Sequence, residues 1–305
     1  MKIVFLGTPE FAVPSLKSLV GAGYNIVGVI TAPDRPKGRG KKMAESAVKE
    51  YAVSEGLRVM QPTNLKSPEF LKELSALNAD LQVVVAFRML PEVVWNMPPL
   101  GTFNLHASLL PNYRGAAPIN WAIINGETET GVTTFFLKHE IDTGNVLFQE
   151  NEKIHANDTA GTLYSRLMLK GAELVLQTVK AIENGNVHET DQVFDPKLHH
   201  SAPKIHKETC KINWQTDAHT IINFVRGLSP YPAAWTKFEN KLYKIFKVRI
   251  PEDEQRSIGP PGTVKTDNVS YIHVQTGDFV ISIMELQPEG KKRMNVSDFL
   301  RGNRI

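Results

Sequence analysis

KIVFLGTPEFAVPSLKSLVGAGYNIVGVIT, residues 2–31, decides the fold class. Its apolar run Ile3–Leu6 ends at Gly7, SLKSLVGAG has helical spacing, and YNIVGVIT reads as a second strand. Strand, helix and strand in that order predict a parallel, doubly wound, Rossmann-like α/β sheet. LQVVVAF (81–87) is nearly all apolar, as a strand covered on both faces should be. GTFNLHAS (101–108) and GVTTFFLK (131–138) extend the series. An Asp/Thr start and a glycine stop predict a long helix over roughly 159–183.

After Gly185 the pattern changes. Residues 188–207 lack periodicity and carry prolines and histidines, so they read as a linker. A helix is expected near 216–226, followed by short strands in WTKFENKLYKIFKVRI, GTVKTD and VSYIHVQTGDFVISIMELQ. That pattern predicts a small OB-like β-barrel. A chain of 305 residues suits two domains. The expected division is an α/β domain over 1–187, a linker over 188–207 and a β domain over 208–305.

Hydrophobic residues make up 42% and charged residues 22%, as in an ordinary soluble globular protein. The single cysteine, Cys210, cannot form an internal disulfide, so a reducing, cytoplasmic setting is expected. The apolar start is too short for a signal peptide and no run is long enough to span a membrane, so no membrane association is expected. Nothing in the sequence argues against a monomer.

The net charge of +3 is unevenly spread. Arg35, Lys37, Arg39, Lys41 and Lys42 follow one another without an acid. Between Lys204 and Arg249 nine basic residues face three acids, a local net of +6. Either run alone could be solvated surface, whereas two runs far apart suggest a polyanionic partner that touches both.

The first strand–helix turn, GTPEFAVPSL, has no second glycine before Gly21, so the dinucleotide fingerprint is absent. GRGKK lacks P-loop spacing as well. Neither a nicotinamide cofactor nor ATP is expected. His199, His200 and His206 lack metal-site spacing, and no metal is expected.

The candidate chemistry lies in FNLHASLLPNYRGAAPINW, residues 103–121. Side chains alternate along a strand, so Asn104 and His106 share one face while Phe103 and Leu105 share the other. In open parallel sheets ligands bind beyond the carboxyl ends of the strands, where this polar pair falls. A buried histidine satisfied by a backbone carbonyl is the plain alternative. KHEIDTGNVLF adds Asp142 in a turn between two apolar segments, although Asp before Thr-Gly also suits a tight turn on its own. Asn, His and Asp with no serine or cysteine nucleophile suit direct acyl transfer to an amine. The amide and imidazole can donate to a developing oxyanion, while the carboxylate holds the imidazolium and helps to move the proton.

FNLHASLLPNYRGAAPINW with HEIDTG downstream resembles the folate-dependent formyltransferase family. GTPEFAVPSL, TAPDRPKGRGKKM, VMQPTNLK, SPYPAAW and LQPEGKKRM resemble its tRNA-acting members over the whole chain. The resemblance implies a catalytic trio of Asn104, His106 and Asp142, with 10-formyltetrahydrofolate as formyl donor. Ser108, Leu109, Leu110 and Pro111 fall on the family's folate-contacting turn. Phe87, Arg88, Met89 and Leu90 fall on the loop over its pterin pocket. That loop departs from the family pattern here, with AFRMLP shorter and Arg88 in place of a glycine. Arg35, Lys37, Arg39, Lys41 and Lys42 fall on an insertion that enters the acceptor-stem end of the initiator tRNA, and Arg39 falls on its principal arginine. The implied reaction formylates the α-amine of methionine carried by initiator tRNA. A formyltransferase for a small amine, such as a nucleotide sugar or glycinamide ribonucleotide, is the alternative. A small acceptor would give no reason for the basic insertion.

Overall fold

A computed structural model describes residues 1–37, 42–252 and 257–305. The chain opens with β1 (Lys2–Gly7), α1 (Val13–Gly21), β2 (Asn25–Ile30) and a ribbon of β3 (Arg35–Lys37) with β4 (Lys42–Ala44). Next come α2 (Ala47–Ser54), β5 (Val59–Met60), α3 (Pro68–Ser75), β6 (Leu81–Val85) and α4 (Glu92–Trp95). The middle of the chain holds β7 (Thr102–His106), β8 (Arg114–Gly115), α5 (Pro118–Ile124), β9 (Glu129–Phe136), β10 (Val146–Lys153) and α6 (Ala160–Glu183). The remainder comprises β11 (Ser201–Ala202), α7 (Ala218–Leu228), β12 (Ala234–Phe238), β13 (Lys241–Arg249) and β14 (Val264–Thr266). It closes with β15 (Ile272–Gln275), β16 (Val280–Pro288), β17 (Met294–Asn295) and α8 (Val296–Leu300).

Two compact units result. One contains residues 1–115, 131–152 and 164–201, and the other 116–130, 153–163 and 202–305. The first is built on a seven-stranded sheet in the order β10-β9-β7-β6-β1-β2-β5. Its strands pair in parallel from β5 through β2, β1 and β6 to β7, and β9 then runs antiparallel to β7. The expected parallel sheet thus carries an antiparallel margin. The mostly apolar strands β1 and β6 occupy the centre, where Ile3, Phe5, Leu81, Val83 and Val85 have no solvent exposure.

Helix α6 packs close to β7 because Gly171 leaves room for it. A Cβ there would lie 2.6 Å from the Leu105 side chain. Leu105 therefore faces α6, and its neighbours Asn104 and His106 face the other way, as the two-residue period requires.

The second unit holds an open, curled antiparallel sheet, β12-β13-β16-β15-β14, with β17 on β16. Helix α7, expected near 216–226, begins at Ala218, with the Asp217 carboxylate accepting from the Thr220 amide at 2.9 Å. A second carboxylate, Asp278, accepts from the Ala218 amide at 2.8 Å. Ile221, Val225, Ile245, Val274, Ile281 and Phe299 join the core beneath it. Lys237, Lys241, Lys247 and Arg249 stand exposed on β12 and β13. Among the described residues no helix is long and apolar enough to cross a membrane.

Candidate active site

Strand β7 delivers Asn104 and His106 near its carboxyl end. The Asn104 amide is partly exposed and has no hydrogen-bond partner among the described residues, so its donors are free to meet a ligand. His106 is 7% exposed, and its Nε2 lies 2.9 Å from the carbonyl oxygen of Tyr113. A carbonyl only accepts, so Nε2 carries a proton and Nδ1 is the nitrogen left to work. The Nδ1 atom faces Asp142 Oδ2 at 3.9 Å, too long for a hydrogen bond. At that distance the carboxylate meets the ring through its charge and not through a shared proton. The backbone-carbonyl alternative thus describes Nε2, and Nδ1 is the ring nitrogen that faces Asp142.

Asp142 reaches His106 by way of the loop between β9 and β10. That loop starts at the amino end of β7, where the Leu137 amide donates to the Thr102 carbonyl at 2.8 Å. It runs the length of β7 to bring Asp142 to the carboxyl end. Asp142 itself has φ 56, a left-handed conformation that Asp tolerates at a cost of about 1 kcal/mol. Two features beside the strand help to fix it. The Gly115 amide donates to Asp142 Oδ2 at 3.0 Å, and Gly144 sits so close to the strand that a Cβ would fall 1.5 Å from the Phe136 carbonyl oxygen.

The turn after β7 is stitched by residues that the sequence did not mark. Thr133 Oγ1 donates to the Ser108 carbonyl at 2.6 Å and accepts from the Leu110 amide at 3.1 Å. Gln149 Nε2 donates to the Leu110 carbonyl at 2.8 Å and to Thr133 Oγ1 at 3.0 Å. Ser108 Oγ donates to the Asn112 carbonyl at 2.6 Å, and the Leu110–Pro111 peptide is cis. Ser108–Pro111 thus form a fixed wall beside the polar pair.

The segment read as a linker contributes directly. The Tyr113 amide donates to the His200 carbonyl at 2.7 Å, and the His200 amide donates to Asn112 Oδ1 at 2.7 Å. Gln192 Nε2 donates to the carbonyls of Asp142 and Gly144 at 3.0 and 2.7 Å. Arg114 donates from Nε and Nη2 to Gln192 Oε1 at 3.1 and 2.8 Å, and its guanidinium lies 5.0 Å from the Phe194 ring centre. Burial pushes the Arg114 guanidinium below its ordinary value, and the carboxylates of Asp142 and Glu140 oppose that shift. Only a Gln among polar linker residues could have hinted at this, since aperiodic segments give no local signal.

The second folate candidate follows β6, the parallel neighbour of β7, so both loops leave the same edge of the sheet. Arg88 turns back from it, donating to the carbonyls of Pro62 and of Thr63, the latter at 3.0 Å. Burial, then the nearby charge of Arg35, lowers its affinity for its proton. Arg88, Met89 and Leu90 line a shallow hollow with Thr63–Lys66 and Pro91–Val93. Phe87 and Ser108–Pro111 do not line that hollow. Of the basic run, Arg35 is exposed and Lys37 and Lys42 pair across the β3–β4 ribbon, while Arg39 and Lys41 lie outside the described residues.

A family profile described as "Formyl transferase" matches residues 1–179, and one described as "Formyl transferase, C-terminal domain" matches residues 204–304. The chain belongs to the formyl transferase family. A methionyl-tRNA formyltransferase of Parabacteroides distasonis is 54% identical over 312 residues, spanning 99% of this chain and 95% of that protein. One of Bacteroides thetaiotaomicron is 52% identical, spanning 100% of this chain and 96% of that protein. An N-formyltransferase of Helicobacter canadensis, solved with folinic acid and dTDP-3-aminofucose, shares the fold with TM-score 0.69 at 24% identity. It aligns with 94% of this chain and 99% of its own.

Proposed function

We propose that the chain transfers the formyl group of 10-formyltetrahydrofolate to the α-amine of methionine esterified to initiator tRNA. Two near-full-length relatives at 54% and 52% identity carry formyl transfer to methionyl-tRNA in their names. The observation that carries the site assignment is His106, whose Nε2 is committed to the Tyr113 carbonyl while Nδ1 faces Asp142.

The amine attacks the formyl carbon, a C–N bond forms, and the carbonyl oxygen gains negative charge. The free amide of Asn104 and the protonated Nδ1 of His106 donate to that oxyanion, with the Asp142 carboxylate facing the ring. The intermediate collapses as the bond to folate N10 breaks. The proton lost by the amine passes to N10 through the Asp142 carboxylate and water.

Ser108–Pro111 and Phe87–Leu90 hold the folate, and Arg35–Lys42 with the exposed lysines of β12 and β13 meet the tRNA backbone. In this reading residues 1–187 carry the chemistry, 188–207 link, and 208–305 supply the second basic surface. The protein works in the cytoplasm as a monomer. The direct test supplies 10-formyltetrahydrofolate with initiator methionyl-tRNA, an amino nucleotide sugar or glycinamide ribonucleotide in turn. Formylation of the methionyl-tRNA alone is expected, with a rate that falls as salt rises. Formylation of either small amine with methionyl-tRNA untouched would overturn the reading.

A further inference from the structure

We infer that Gln192 is a positioning residue for Asp142, which it holds against His106 through the backbone of the 142–144 turn. This rests on the reading of Asp142 and His106 as the reactive pair. Three consecutive residues grip the site from one side. Tyr113 takes the His106 Nε2 proton on its carbonyl, and Gly115 donates its amide to Asp142 Oδ2. Arg114, between them, reaches Gln192 with a two-pronged contact. Gln192 passes that contact on by donating to the Asp142 and Gly144 carbonyls.

The bonding of the Gln192 amide is complete. Its oxygen accepts from Arg114 twice, and its nitrogen spends both protons on carbonyls of one tight turn. A side chain bonded on all sides has no freedom to rotate, and it fixes a turn whose first residue, Asp142, is left-handed. Arg114 is itself braced on the Phe194 face, and Phe194 stacks with His199 at 5.6 Å. Gln192 therefore sets where the carboxylate sits relative to Nδ1, without touching the reactants.

The experiment measures formyl transfer to methionyl-tRNA by Gln192→Ala, Gln192→Glu and Asp142→Asn variants and by the double variant Gln192→Ala/Asp142→Asn. Misplacing a group by about an ångström costs on the order of 10- to 100-fold, so Gln192→Ala should lose that factor in kcat. Its KM for both substrates should stay within about threefold, since neither is contacted. Gln192→Glu keeps the oxygen that Arg114 binds but loses both donations to the turn, and should fall as far.

In the Asp142→Asn background, Gln192→Ala should cost less than about threefold more, because a residue acting through Asp142 has nothing left to position. An equal loss in both backgrounds would overturn the inference by showing a general packing effect. Full kcat in either Gln192 variant beside a large loss in Asp142→Asn would overturn it alone. Full kcat in Asp142→Asn would overturn the underlying reading of the pair. Thermal melting of each variant separates these losses from unfolding.

Discussion

The loop after β6 and the loop after β7 begin side by side on adjacent parallel strands, and they are held in different ways. The β7 loop is bonded at Ser108, Leu110, Asn112, Tyr113 and Gly115 to partners on β9, β10, the 139–145 turn and the 188–200 segment. The β6 loop buries Leu90 in the core but has one long-range hydrogen-bonded anchor described, the Arg88 guanidinium on the carbonyls of Pro62 and Thr63, and leaves Met89 71% exposed. Rigid placement suits groups that must meet a transition state within a fraction of an ångström. A loop with one hydrogen-bonded anchor suits contact with the bulk of a substrate, where binding energy rather than rate is at stake.

That contrast makes separable predictions. Asn104→Ala removes the proposed oxyanion donor from the rigid side and should lower kcat by about 100- to 1000-fold with little change in KM. Single-turnover rates check this, and a loss confined to KM would erase the distinction between the loops. Arg88→Ala should do the reverse. Freed of an anchor worth about 1 kcal/mol, the β6 loop should raise KM for the folate donor severalfold and leave kcat within about twofold.

The smallest effect is expected far from both loops. Asp217→Ala should destabilise α7 by about 1 kcal/mol at neutral pH. The side-chain bond from Thr220, then the Thr220 amide, holds the Asp217 carboxyl below its ordinary value of 3.8. A depressed carboxyl stabilises the fold above its unfolded value and loses that contribution as pH falls through the folded one. The gap between the wild type and the variant in denaturant melts should therefore be constant above pH 3.8 and close below it.

Much of this was readable from residue order. The central strands declared themselves because both faces are buried, and helix α6 falls over Ala160–Glu183 where 159–183 was expected. Asn104 and His106 stood out because polar residues at the carboxyl end of a buried strand need a reason. The antiparallel turn of β9 against β7 was not legible, since strand direction at a margin is set by the path of the connection. Nor were Thr133, Gln149 and Gln192, whose bonds join residues far apart along a chain with no local pattern to mark them. The 188–207 segment looked like a linker because it buries little apolar surface, and its contribution is made through hydrogen bonds instead.

The central claim is that His106 works through Nδ1 as an oxyanion donor while the Tyr113 carbonyl fixes its other nitrogen. Single-turnover formyl transfer from 10-formyltetrahydrofolate to initiator methionyl-tRNA by the His106→Ala variant tests it most directly. The expected result is a rate about 100- to 1000-fold lower, with tRNA affinity within about twofold of the unsubstituted protein. Transfer at close to the unsubstituted rate would contradict it.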